Sequence, residues 1–125
     1  MSHLIKVEGA LKAEGYRLVI SKFTIVKEVD SVLHLEMRLG EGGCSFERVE
    51  KSKLNTLIDD TFSLSQGGWF WFKIWLDSEE ESSIENAKKR IINSLTESSS
   101  RYVSDALKAA DELEKLKLNP KFHVQ

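Results

Sequence analysis

YRLVISKFTIVKEVDSVLHLEMRL, residues 16–39, reads as two strands and a turn. β-branched and aromatic residues dominate both halves, which suits a pleated, half-buried surface. We place strands at 16–27 and 31–39, joined through Glu28, Val29 and Asp30. Pairing about that loop sets Ile25 opposite Leu33, Phe23 opposite Leu35 and Val19 opposite Leu39. Side chains alternate along a strand, so these residues share one apolar face.

The pattern extends in both directions. CSFERVE, 44–50, is a third strand, entered through Gly40, Glu41, Gly42 and Gly43. A four-residue loop there sets Cys44 opposite Leu39 and Phe46 opposite Met37, on the apolar face. KSKLNTLIDDTF, 51–62, has apolar residues at 54, 57 and 58, and a short helix is expected near 51–60. Gly67 and Gly68 break the chain before a fourth strand at 69–77. Leu4, Val7 and Leu11, with Gly15 behind them, suit a short helix, while Leu4 to Val7 alone suit a strand.

After Asp77 the composition turns to Ala, Glu, Lys and Leu. Ser82 with Glu85 forms a capping box, and Ile84, Ala87, Ile91 and Leu95 follow at helical spacing. Ser98, Ser99 and Ser100 suggest a break before a second stripe from Val103 to Leu113. Helices are therefore expected at 84–97 and 101–118, packed on one sheet face. The fold class is α+β, with an antiparallel sheet of about four strands, in a single domain over 1–125.

Composition narrows the function. At 41% hydrophobic and 30% charged residues the chain is ordinary globular material. A net charge of −2 gives no field for nucleic acid. One cysteine, Cys44, cannot form an internal disulfide, which fits a reducing compartment. No apolar run is long enough to span a bilayer, and the first residues lack a signal-peptide core. A soluble, cytoplasmic protein with no membrane contact is expected.

The fourth strand holds all three tryptophans. Alternation gives Phe70, Phe72, Ile74 and Leu76 one face, and Trp69, Trp71, Lys73, Trp75 and Asp77 the other. The first set is the core face. The tryptophans either fill a second small core or form a surface for a partner or a second copy, because tryptophan is enriched at binding hot spots. The acidic run Asp77, Glu79, Glu80 and Glu81 is a solvated helix approach or an extension of that surface toward a basic partner.

Catalytic and metal chemistry find little footing. His34, Glu36 and Arg38 share a strand face, which reads as cross-strand ion pairing, Arg38 with Glu47 for example, before it reads as acid–base chemistry. GEGG, 40–43, lacks the lysine and helix of a phosphate loop. No zinc or calcium ligand spacing is present, and no cofactor is expected. The expectation is a non-catalytic protein-binding domain that occludes its partner, in the manner of a bacterial immunity protein neutralising a basic toxin. Its expected contacts are Trp69, Trp71, Lys73, Trp75, Asp77 and Glu79 to Glu81. The alternative is a structural or homodimeric subunit using the tryptophan face, and a small enzyme centred on His34 ranks last.

Overall fold

A computed structural model describes residues 2–12, 15–61 and 68–118. It is α+β, with one antiparallel sheet of six strands and one long C-terminal helix. The strands are β1 (His3–Lys12), β2 (Gly15–Val29), β3 (Val32–Arg38), β4 (Cys44–Glu50), β5 (Leu57–Asp59) and β6 (Gly68–Leu76), followed by α1 (Glu81–Leu118). Across the sheet the order is β4-β3-β2-β1-β6-β5.

The four expected strands are present, and two more join them. The N-terminal segment resolves in favour of a strand, longer than the expected Leu4 to Val7, and β1 sits between β2 and β6. The helix expected near 51–60 is a 3-10 turn at Lys51–Lys53 followed by β5. The two expected helices are one. Serine costs only about half a kcal/mol in a helix interior, and the stretch through Ser100 has neither glycine nor proline to stop it. The helix also begins before Ser82: the Ile84 N–H donates to the Glu80 carbonyl at 3.1 Å. Residues Met1–Leu95 form one compact unit and Thr96–Gln125 a second. Within the second, Val103, Leu107 and Leu113 are exposed at helical spacing.

Register differs at both hairpins. β2 and β3 turn through Asp30 and Ser31, both at positive φ (51° and 65°), with Val29 opposite Val32. That is a tight two-residue hairpin in place of the expected three-residue loop. A bulge at Val26 then sets Ile25 opposite Leu35 and Glu28 opposite Leu33. Phe23 pairs with Leu4 of β1 instead of Leu35. At the next hairpin Cys44 faces Arg38, Ser45 faces Met37 and Phe46 faces Glu36. Cys44 and Phe46 are therefore exposed, opposite to expectation.

The sheet is apolar on both sides. On one, Ile5, Val7, Leu11, Phe72, Ile74 and Leu76 pack against Ala87, Ile91 and Leu95 of α1. On the other, Leu4, Phe23, Leu33, Leu35, Val49 and Trp75 form a second core, joined by Leu54 and Ile58. The segment after β4, which takes the chain from one sheet edge to the other, supplies Leu54.

At Gly9 the strand and α1 pack too closely for a side chain. A Cβ there would stand 2.5 Å from Ile91 Cγ2, 3.2 Å from Leu95 Cδ1 and 3.3 Å from Leu18 Cδ1. Gly9→Ala should thus push the helix outward and cost about 1–3 kcal/mol, the usual range for overpacking a core. A urea melt measures this, and an unchanged midpoint would mean that Ile91 can move aside freely.

Candidate functional site

Two surfaces hold the side chains that the sequence singles out. The first is the tryptophan face of β6. Trp75 is only 1% exposed. Its ring meets Phe23 edge to face, with centroids 5.1 Å apart and planes at 72°. The Asn55 N–H donates to the Trp75 carbonyl at 2.7 Å, which ties the crossing segment down over this core. Trp75 cannot be the open contact residue expected of it, because the crossing segment covers it.

Trp71 is half-buried, and its indole Nε1 donates to Glu8 Oε2 at 3.1 Å. The Trp69 side chain lies outside the described residues. Lys73, expected to rim an open surface, is half-buried and pairs with Asp60 at 3.2 Å. Lys6 is buried beneath this face. Its amine lies 2.6 Å from Glu47 and 3.4 Å from Glu8, above the rings of Trp75 (5.4 Å) and Phe23 (5.9 Å). Glu47 therefore serves Lys6, in place of the expected Arg38. The three tryptophans thus do not form one open platform; at least the Trp75 end is a second core.

The acidic run is not contiguous with Trp71. Asp77 follows the last strand residue and accepts from Asn55 Nδ2 at 3.2 Å. Six residues of extended chain, roughly 20 Å, separate it from Trp71. Glu79 pairs with Lys22 at 2.6 Å, and both side chains are exposed. The hydrogen bond and charge of Lys22 hold the Glu79 carboxyl below its ordinary value of 4.5. The pair's contribution is present above that value and disappears as the pH falls through the lowered one. Being at the surface, it is small. Glu80 and Glu81 are exposed at the start of α1, where the helix dipole favours carboxylates.

The second surface is the outer face of β3 and β4. Leu33, Leu35 and Val49 turn into the second core, so His34, Glu36 and Arg38 turn out. The register brings Arg48 opposite His34, Phe46 opposite Glu36 and Cys44 opposite Arg38. The bulged Val26 and neighbouring Lys27 complete the rim. Val26, Lys27, His34, Glu36, Phe46 and Arg48 line an open depression of about 570 Å³. Phe46 is 71% exposed beside it.

Sequence reasoning missed Phe46, because one residue of register decides whether it faces the core. The available signal was the Gly-rich turn, whose length sets that register. Cys44 Sγ stands 3.6 Å from Glu36 Oε1, so the face carries a thiol, a carboxylate and an imidazole. The thiol donates to that carboxylate, and among the described residues the His34 ring makes no hydrogen bond to either group. No group of three or more His, Cys, Asp or Glu among the described residues is placed to hold a metal ion. No helix among them is long and apolar enough to cross a membrane.

Compared with known proteins, the chain matches no family model, no curated protein and no solved structure.

Proposed function

We propose that this chain is a non-catalytic protein-binding domain that acts by occluding a partner, which rests on the outer face of β3 and β4. One observation carries the reading: Phe46, in mid-strand, holds its ring 71% exposed at the rim of an open depression. An exposed aromatic with polar groups around it has the make-up of an interface anchor, and such anchors dominate binding energy once water is excluded. Val26 adds a second apolar contact beside it. The partner's chemistry follows from the rim. Lys27, Arg38 and Arg48 outnumber Glu36 and Glu50, so an apolar pocket edged with carboxylates fits best. A toxin-neutralising inhibitor is one kind of protein that works by occlusion. On this face it would meet an acidic patch of its toxin, instead of the basic one that the acidic run suggests.

The test uses wild-type and Phe46→Ala proteins as baits in the same lysate, with captured proteins quantified. Phe46→Ala should change stability by about 0.5 kcal/mol or less, as exposed positions do. It should weaken capture of the partner by about 2 kcal/mol, roughly thirtyfold. Equal recovery of every captured protein on both baits would sink the assignment. His34→Ala is the control for chemistry: a folded variant that retains the partner but loses its effect would make the face an active site.

A further inference from the structure

β2 is fifteen residues long, yet β3 accompanies only its second half. The β2–β3 register runs from Thr24 to Val29, whereas β1 pairs with β2 from Gly15 to Thr24. Among the described residues nothing pairs with 16–22 on the side away from β1. The direction of each backbone group follows from one bond. The Ile25 N–H donates to the Ser2 carbonyl at 3.0 Å, on the β1 side. Backbone groups alternate along a strand. Arg17, Val19, Ser21 and Phe23 therefore bond β1, while Tyr16, Leu18, Ile20 and Lys22 turn their N–H and C=O groups outward. The side chains of those four residues lie on the α1 side, where Tyr16, Leu18 and Ile20 remain 60%, 39% and 43% exposed.

A bare edge is ordinarily kept short or guarded by charge, proline or a bulge. β5 is only three residues long, and β4 carries Glu47, Arg48 and Glu50. The window YRLVISK has no proline, its two charges, Arg17 and Lys22, stand toward its ends and leave Leu18, Val19 and Ile20 unguarded, and the bulge lies beyond it at Val26.

We propose that a second copy of this chain closes the edge, β2 pairing antiparallel with β2 about a two-fold axis at Val19. Self-pairing requires outward residues to face outward residues. A centre at Val19 meets that condition and uses the whole window from 16 to 22. Leu18 then faces the partner's Ile20, and Tyr16 faces the partner's Lys22, whose aliphatic stem can pack on the ring while its amine keeps Glu79. Arg17 faces the partner's Ser21, so no like charges meet. A centre at Leu18 would run the pairing past Gly15, and one at Ile20 would leave Tyr16 and Arg17 unpaired. A net charge of −2 opposes approach only weakly. The contact is smaller than the roughly 800 Å² per partner of a standard interface, so the dimer is weak and concentration-dependent, in the micromolar range.

Two measurements on the full chain test this. Sedimentation velocity across a concentration series should show monomer passing into dimer, and Ile20→Pro should weaken the dimer at least about tenfold. Proline there deletes an outward N–H and spares the bonds to β1. In a Cys44→Ser background, Val19→Cys should cross-link to itself on mild oxidation. Residues opposite each other in a non-hydrogen-bonded pair lie about 4.5 Å apart at Cα, within disulfide range. Ser21→Cys, displaced from the axis, should cross-link far more slowly. A chain that stays monomeric at every concentration overturns the proposal. So does a dimer in which Val19→Cys cross-links no faster than Ser21→Cys. Neither result bears on Phe46, which lies outside the window.

Discussion

Trp75→Ala is expected to lower stability by about 3–5 kcal/mol, the usual cost of cutting a buried aromatic to alanine. Among the described residues the indole is the largest of the fully buried side chains. It touches Phe23, and the carbonyl of its residue anchors the segment that closes the second core. The loss compares with the whole stability of many small domains, so the variant should be largely unfolded by circular dichroism at 37 °C. Trp71→Ala provides the contrast. That ring is half-buried and its indole has one polar partner, Glu8, so about 1–2 kcal/mol is expected. Equal losses at the two positions would mean that the face is uniformly covered.

The second large effect concerns Lys6. Glu47→Ala removes the nearer carboxylate from a buried amine, which normally costs about 3–5 kcal/mol. Glu8, 3.4 Å from the same amine, remains to compensate in part, so the lower end, about 3 kcal/mol, is expected. Lys6→Met should cost less, about 1–3 kcal/mol. The methionine retains the packing against Trp75 and Phe23, while the part-buried Glu8 and Glu47 lose their shared cation but keep some access to water. Adding Lys6→Met to Glu47→Ala should restore most of the loss. Urea melts of the two single variants and the pair give the coupling directly. If Glu47→Ala melts within about 0.5 kcal/mol of wild type, the Lys6 charge is compensated elsewhere.

Much of the fold can be read without coordinates, because alternation and helical spacing are local. Phe70, Phe72, Ile74 and Leu76 do face the core, and Ala87, Ile91 and Leu95 do cover it. What escapes local reading is whatever depends on a distant segment. Parity places Trp75 on the second face, but its burial comes from the chain around Leu54, some twenty positions earlier. Facing at Cys44 and Phe46 hangs on a single residue of register. The Asp30–Ser31 turn offered no warning either, since two non-glycine residues adopt positive φ there and such turns usually announce themselves with Asn-Gly or Asp-Gly. The candidate site is half legible: His34, Glu36 and Arg38 share a face as alternation predicts, whereas the four-residue turn predicts Phe46 facing inward. The expected patch of tryptophans and acids separates, because a strand that keeps its parity still spreads its residues along its length.

β1 is the earliest strand in the chain, yet it lies between β2 and β6. Its β2 side can close as soon as the first hairpin is made. The other side waits for Gly68–Leu76, and for α1 after that, with residues 13–67 intervening. At about 5–20 residues per second of ribosomal synthesis the delay is several seconds. Throughout it, the nascent chain holds out a bare strand edge with Ile5, Val7 and Leu11 uncovered, a template for pairing with neighbouring chains on the same message. Yield in the cell is then governed by the order of translation as much as by the stability of the finished sheet. Slow codons between β4 and β6 would lengthen the exposure and favour aggregation without changing a single residue.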